Sequence, residues 1–213
     1  HTVEKCSEVR PRVAVFTLGT NHVDILKETG EIVDNCQKRP QRLFEERELS
    51  GEEWPANAEG YQSAEIADRS IGSSEGTLKV IITVSPIRYA KYGYHGSQLS
   101  KATLLLAADK LVKENPGVVS YFPAYEIMND ELRDYRFYKE DMLHPSEQAV
   151  EYIWERFRAT YFGKAAEQFL EDWRPIREAL GHKPFHPESE EHQKFIARTE
   201  EKKRQFEEKY HLL

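Results

Sequence analysis

The chain has 213 residues, a net charge of −7 at neutral pH and 39% hydrophobic residues. This length allows one substantial core, or one domain plus an extension. The acidic balance argues against nucleic acid or an anionic membrane surface as the main partner, and no apolar run approaches the roughly 20 residues of a membrane span.

Cysteine usage argues against two further classes of protein. Cys6 and Cys36 are too few for a disulfide framework, and no C-x-x-C or Cys/His spacing suggests a zinc site. We therefore expect neither a metal nor another cofactor. Because the chain begins at His1 rather than at a methionine, we expect the natural protein to start upstream of it, and the sequence does not decide between a cytoplasmic and an exported location.

The first half of the chain carries two strong strand signals. Residues 12–18 (RVAVFTL) form a continuous apolar run between a proline and a glycine, which predicts a central strand buried on both faces. Residues 77–86 (TLKVIITVSP) are the strongest strand in the sequence. Between them, residues 31–35 predict a short strand, and the string SGEE at 50–53 has the form of a capping box that opens a helix.

The second half continues the alternation of strands and helices. The pattern predicts a helix over 97–115, a strand over 118–128 and a second helix over 149–157. Buried strands that alternate with helices are typical of an α/β fold with a mostly parallel sheet covered on both faces. The predicted inward-facing positions are Leu104, Leu105, Ala108, Leu111 and Val112 in the first helix, and Ala149, Val150, Ile153, Trp154 and Phe157 in the second.

From about residue 165 the chain becomes charged and helix-prone, with sparse apolar positions. The sequence therefore predicts an α/β domain over 1–164 and a helical extension over 165–213. We expect the helices of the extension to pack on the core or on another chain, so self-association is one predicted kind of partnership. Their apolar positions are Phe195, Ile196, Phe206 and Tyr210.

A glycine and an asparagine follow the first predicted strand directly. Ligand sites of open α/β sheets lie beyond the carboxyl ends of the strands. Gly19 offers an unshielded N–H there, and the Asn21 side chain supplies a second donor. Two converging donors can form an oxyanion hole that stabilises a tetrahedral intermediate. The alternative is an ordinary turn, in which both residue types are common.

Asp141 and His144 form a D-x-x-H pair just before the second predicted helix. An aspartate three residues before a histidine can orient its imidazole, and the two then form the base-and-orienter half of a catalytic triad. The alternative is a pair that satisfies free N–H groups at the start of a helix.

Taken together, the G-x-N string after a strand and the later D-x-x-H string resemble the SGNH (GDSL-like) hydrolases. Over residues 17–157, longer strings resemble the GSCFA family, a bacterial branch of that group: TLGT, TGEIVDNCQK, TVSPIR, QLSKATLLLA, YFPAYEIMNDELRDYRFY and DMLHPSEQAVEYIWERF. The resemblance implies a three-layer α/β/α sandwich with a flavodoxin-like sheet. It also implies hydrolysis of an ester or acyl group by a serine nucleophile.

By this resemblance, His144 is the general base, Asp141 its orienter and Gly19 an oxyanion donor. Two asparagines compete as the second donor. Asn21 recreates the G-x-N of the wider SGNH group, whereas Asn35 matches the asparagine of the NCHK-like string of the GSCFA family. We favour Asn35 slightly and keep Asn21 as a candidate.

The sequence departs from the family pattern at several positions near the expected site. Gln37 stands where the family usually has histidine, and Tyr89 stands after the SPIR string where histidine is common. Such exchanges are expected to alter or abolish activity. Arg88 remains in that string as a candidate substrate-binding residue. Ser85 precedes a proline and lacks a glycine-flanked elbow, so we interpret it as a structural residue at the strand end.

The serine that gives the GSCFA family its name has no counterpart in this sequence. Ser7, in the string EKCSEV, lacks the glycine and the apolar context of the family string. The nucleophile is therefore unknown and not assigned within this chain, and we expect little hydrolysis by this chain alone, because a base without a hydroxyl to deprotonate cannot transfer an acyl group.

Two functions fit these observations. The first is an SGNH-type serine esterase or acyl hydrolase that acts through an acyl-enzyme on a small-molecule or carbohydrate ester, such as an O-acetyl group. The alternative is a catalytically inactive binding or interaction module with the same fold. The Asp141 and His144 pair favours the enzyme.

Overall fold

A computed structural model describes residues 12–33, 39–51, 53, 78–182 and 188–211. The chain divides into two compact units, residues 1–153 and 154–213. The domain boundary that the sequence predicts, between residues 164 and 165, lies somewhat downstream of this division.

The described residues form the following elements in chain order: β1 (Val13–Leu18), β2 (His22–Leu26), β3 (Ile32–Val33), β4 (Phe44–Glu48), β5 (Lys79–Val84), α1 (Gly93–Glu114), β6 (Val119–Phe122), α2 (Ala124–Glu126), α3 (Glu147–Tyr161), α4 (Lys164–Gly181) and α5 (Glu190–Lys209). Helix α2 continues as a π-helical stretch, Ile127–Leu132.

The main sheet is parallel, with the strand order β1-β5-β6. The central strand β5 is buried from Val80 to Val84, as expected from its run of β-branched residues. Helix α1 connects β5 to β6, which is the crossover that two parallel neighbouring strands require. A small antiparallel sheet, in the order β3-β2-β4, follows β1. A mixed α/β fold with a parallel sheet is thereby confirmed.

The core of the first unit lies between one face of this sheet and α1. Leu104, Ala108 and Leu111 of α1 are buried in one cluster with alternate residues of β5, such as Val80 and Ile82. The inward face predicted for this helix is therefore confirmed. The helix begins at Gly93, earlier than predicted.

The prediction that the first strand is central and buried on both faces is wrong. Within the described part of the chain, β1 lies at the edge of its sheet, and its outward side chains Val13 and Val15 are 51% and 50% exposed. Only the alternate side chains, such as Phe16 and Leu18, pack on the core cluster. An apolar run indicates that a strand tolerates burial, but the number of neighbouring elements decides whether both faces are covered.

The predicted strand over residues 118–128 is wrong beyond Phe122. The chain turns into helix directly after Pro123, which cannot donate a backbone hydrogen bond to a sheet. Ala124, Ile127 and Met128 are buried at helical spacing.

Shorter predictions have mixed outcomes. Residues 32–33 form a strand and Glu31 lies before it, while residues 34–35 of the predicted strand lie outside the described residues. The capping box is confirmed, since Glu53 N donates to Ser50 Oγ at 3.2 Å and Ser50 N donates to Glu53 Oε2 at 3.0 Å. Most of the helix that it was predicted to open lies outside the described residues.

The second unit contains the end of α3 together with α4 and α5, so the predicted C-terminal helices are confirmed. Helices α4 and α5 pack on each other around the buried side chains Ile176 and Phe206. The apolar stripe predicted for α3 is only partly buried, because Val150 and Trp154 remain exposed. None of the described helices combines the length and the apolar character that crossing a membrane would require.

Candidate active site

The loops that follow β1 and β5 lie side by side at the carboxyl edge of the parallel sheet. Ser85 N donates to Leu18 O at 2.8 Å, which joins the end of β5 to the end of β1. Gly19 and the SPIR string at 85–88 therefore begin at the same edge. This is the position at which open α/β sheets place their ligand sites.

The D-x-x-H loop is attached to the same edge through Arg88. The backbone N–H of Arg88 donates to Leu143 O at 3.1 Å, and its guanidinium Nη1 donates to Met142 O at 3.0 Å. The structure thus connects the strand-end loops to the segment that carries Asp141 and His144, although the chain separates them by more than fifty residues.

Asp141 and His144 have the geometry of a base with its orienting carboxylate. His144 Nδ1 lies 2.6 Å from Asp141 Oδ2. The other carboxylate oxygen, Oδ1, accepts hydrogen bonds from the backbone N–H groups of Leu143 at 2.8 Å and His144 at 3.0 Å. The backbone N–H of His144, then that of Leu143 and then the imidazole lower the pKa of Asp141 to about 2.

The second ring nitrogen of His144, Nε2, is free of hydrogen bonds to the described residues. The side chain is 53% exposed, and its Nε2 atom has no hydrogen-bond partner among the described residues. This arrangement leaves one nitrogen oriented by a carboxylate and the other available for proton transfer. The alternative role, a pair that satisfies free backbone N–H groups, does not conflict with this arrangement. The Asp141 carboxylate accepts hydrogen bonds from loop N–H groups and orients the imidazole ring at the same time.

Arg88 supports the D-x-x-H loop. Met142 adopts a left-handed backbone conformation with φ of 61°, which is unusual for a residue with a side chain, and Arg88 binds its carbonyl oxygen. The guanidinium also lies 4.4 Å from the centre of the Tyr94 ring. These contacts favour a role in positioning the loop, while the predicted substrate-binding role of Arg88 stays a prediction.

Asn21 stabilises the loop after β1 through hydrogen bonds to two other segments. It is only 4% exposed, its Nδ2 donates to Leu49 O at 2.9 Å, and its backbone N–H donates to Ser100 Oγ at 3.0 Å. These bonds favour a structural role over that of oxyanion donor, which stays untested. Asn35, the competing donor, and Gln37 lie outside the described residues.

Three buried polar side chains of α1 form hydrogen bonds with the backbone of the strand-end loops. Ser97 Oγ accepts from Tyr89 N at 3.1 Å, Ser100 Oγ accepts from the Asn21 N–H, and Lys101 Nζ donates to Gly19 O at 2.5 Å. Burial lowers the pKa of Lys101 to about 8.

Sequence reasoning missed this polar face of α1, although a signal for it exists. Ser97, Ser100 and Lys101 precede Leu104 and Ala108 at helical spacing, so they continue the stripe that the apolar residues define. Polar residues in line with a buried stripe must find partners in the interior. The hydrogen bonds to the strand-end loops are those partners.

Gly19 is in close contact with Tyr89. A Cβ atom added at Gly19 would lie 2.7 Å from Tyr89 Oη, so no larger residue fits without a shift of the tyrosine. Burial raises the pKa of the Tyr89 hydroxyl, which therefore stays protonated near neutral pH.

Two family models match this chain. The model described as GSCFA family matches residues 4–157, which is well over half of the chain, and the model described as GSCFA domain protein, C-terminal domain, matches residues 173–213. The chain belongs to the GSCFA family. Comparisons with curated proteins and with solved structures returned no match.

The GSCFA match over residues 4–157 includes every candidate site residue named from the sequence. Within the described part of this GSCFA chain, no group of three or more His, Cys, Asp and Glu side chains could hold a metal ion. Ser85 Oγ accepts from Ile87 N at 3.3 Å, consistent with a structural turn residue. No serine hydroxyl among the described residues is hydrogen-bonded to His144, so the nucleophile remains unassigned.

Proposed function

We propose that this GSCFA protein is a serine-dependent ester or acyl hydrolase of the SGNH type, built as a three-layer α/β/α sandwich. The observation that carries the proposal is the Asp141 and His144 pair, with its 2.6 Å contact and its open Nε2 atom. Both carboxylate oxygens of Asp141 are engaged, so the imidazole is held in one orientation.

The reaction uses the pair as follows. The nucleophilic serine transfers its proton to Nε2 of His144 while its Oγ attacks the acyl carbon and forms a tetrahedral oxyanion. The Asp141 carboxylate stabilises the imidazolium. His144 then returns the proton to the departing alcohol, which leaves an acyl-enzyme. A water molecule repeats the sequence, and the acid and the free serine are released.

The electrostatics of the loop support this role. With a pKa of about 2, Asp141 is ionised throughout the physiological range and can stabilise a positive charge on His144. The exposure of His144 leaves room for a substrate to approach. A small-molecule or carbohydrate ester, such as an O-acetyl group, is the proposed substrate class by analogy with the fold.

The test uses the full-length protein, a fluorophosphonate probe and p-nitrophenyl acetate. We expect the wild type to be labelled on a serine and to hydrolyse the ester, and His144→Ala to lose both properties. His95→Ala is the matched control, because His95 is an exposed histidine of α1. A wild type that takes no label and hydrolyses no ester would show the proposal to be wrong.

A second candidate function is a binding module that keeps the fold without the reaction. It is favoured by the lack of a serine partner for His144 among the described residues and by the exchanges at Gln37 and Tyr89. Binding of an acetylated carbohydrate by the full-length protein, with no turnover and no labelling, would favour this function.

A further inference from the structure

Lys101 is a buried cation without a counter-charge. The residue is 2% exposed, and no carboxylate among the described residues forms an ion pair with it. Its contacts are the carbonyl oxygen of Gly19, 2.5 Å from Nζ, and the ring of Tyr89, whose centre lies 5.2 Å from Nζ. Burying an ammonium group in this way is unfavourable because the group loses its hydration, whereas an apolar residue would avoid that cost.

The hydrogen bond from Lys101 fixes one peptide plane at the carboxyl end of β1. No peptide bond among the described residues is cis, so the carbonyl of Gly19 and the N–H of Thr20 point in opposite directions. The Thr20 N–H therefore points away from Lys101.

The Thr20 N–H is also an unoccupied donor of this turn. The next two backbone N–H groups are occupied, because Asn21 N donates to Ser100 Oγ at 3.0 Å and His22 N donates to Thr20 Oγ1 at 3.2 Å. Within the described ranges, the Thr20 N–H has no hydrogen-bond partner.

We propose that Lys101 is a positioning residue of the oxyanion hole, which fixes and polarises the Gly19–Thr20 peptide so that the Thr20 N–H binds the negative oxygen of the tetrahedral intermediate. This inference rests on the proposed hydrolase function. It names the N–H of Thr20, rather than that of Gly19, as the backbone donor.

The physical reason is the cooperativity of hydrogen bonds through a peptide group. A cation that binds the carbonyl oxygen draws electron density along the peptide bond and makes its N–H a stronger donor. The effect is larger at a buried site, because water does not screen the charge. Lys101 itself does not touch the substrate, since it lies on the opposite side of the peptide.

One experiment measures the polarisation without catalysis. In the ¹⁵N-labelled full-length protein, the Thr20 amide resonance is followed between pH 7.5 and 9.5. This window includes the pKa of Lys101, at about 8, and it lies above the usual imidazole range and below the raised pKa of the Tyr89 hydroxyl. We expect the Thr20 nitrogen shift to follow a single transition in the wild type and to show none in Lys101→Met.

Ester hydrolysis is measured on the same variants. We expect Lys101→Met to lower kcat roughly ten- to a hundredfold with KM nearly unchanged, because the lost interaction acts in the transition state. Lys110→Met is the matched control, since Lys110 is an exposed lysine of the same helix that pairs with Glu114. It should match the wild type in both the NMR titration and the kinetics.

Two results would overturn the role of Lys101: no transition of the Thr20 resonance in the wild type, or the same kcat in Lys101→Met as in Lys110→Met. The wild-type titration alone decides the matter if Lys101→Met does not fold. A wild type that neither hydrolyses esters nor takes the fluorophosphonate label would instead overturn the hydrolase function, and it would do so whatever the NMR titration shows.

Discussion

The two loops of the candidate site lie at the same edge of the sheet and are held in opposite ways. The loop after β1 is fixed by buried side chains of α1, whose hydrogen bonds join residues about eighty positions apart. The D-x-x-H loop is exposed and is fixed largely by bonds within itself, such as those from Leu143 N and His144 N to Asp141.

This difference implies that the loop after β1 contributes mainly to stability and the D-x-x-H loop mainly to the reaction. A buried N–H or carbonyl group that loses its partner costs free energy of unfolding, whereas an exposed loop can exchange a lost hydrogen bond for one to water. We therefore expect changes at the buried supports to destabilise the fold, and changes in the D-x-x-H loop to affect the reaction much more than the stability.

The largest expected effect is that of Asp141→Asn on ester hydrolysis. We expect kcat to fall about 10³- to 10⁴-fold in the full-length protein, because the neutral amide neither orients His144 correctly nor stabilises its positive charge. Asp134→Asn is the control, since Asp134 also accepts a backbone N–H, that of Arg136, but forms no hydrogen bond or ion pair with any histidine that the structure describes. A loss smaller than tenfold would contradict the role of Asp141.

Ser100→Ala tests the buried support. We expect the free energy of unfolding to fall by about 1–3 kcal/mol, because the buried Asn21 N–H loses its acceptor. Thr103→Ala removes an exposed hydroxyl that bonds Leu99 O within the same helix, and it should change stability by less than about 0.5 kcal/mol. Urea unfolding of both variants decides this, and equal losses would show that the buried Asn21 N–H gains no particular stability from Ser100.

Gly19→Ala tests the close contact under the loop after β1. We expect a loss of about 1–2 kcal/mol in unfolding free energy, because the new methyl group would lie 2.7 Å from Tyr89 Oη. In a Tyr89→Phe background the cost should shrink, since the next ring atom, Cζ, lies at 3.8 Å. A double-mutant cycle measures the coupling, and strictly additive losses would show that the contact does not constrain this position.

The smallest expected effect is the loss of folding stability at low pH that comes from protonation of Asp141. Its pKa of about 2 in the folded state lies below its usual unfolded value, so its contribution to stability is present above about pH 4 and is lost as the pH falls through 2. Thermal unfolding of the wild type and Asp141→Asn at pH 5, 3.5 and 2 should show a difference that shrinks with acidity. A constant difference would mean that the carboxylate adds no pH-dependent stability.

The features that the sequence predicted correctly depend on residues that lie close together along the chain. The capping box at Ser50 and Glu53 and the inward face of α1 follow from spacings of a few residues, which fix local geometry whatever the rest of the fold does. The prediction that β1 is a central strand failed, because it needed knowledge of which strands lie beside it in the sheet. The same kind of apolar run made β5 a central strand and β1 an edge strand in the described sheet.

The candidate site shows the same division. The Asp141 and His144 contact joins residues three positions apart, so a short string of sequence was enough to predict it. The hydrogen bond from Lys101 to Gly19 joins residues 82 positions apart, so the helical spacing that marks Lys101 as buried does not identify its partner. By itself the sequence determined the family, the alternation of strands and helices, and the pairing of Asp141 with His144. Only the tertiary structure decided how the loop after β1 presents its donors, because hydrogen bonds with α1 fix the Gly19–Thr20 peptide and occupy the Asn21 N–H.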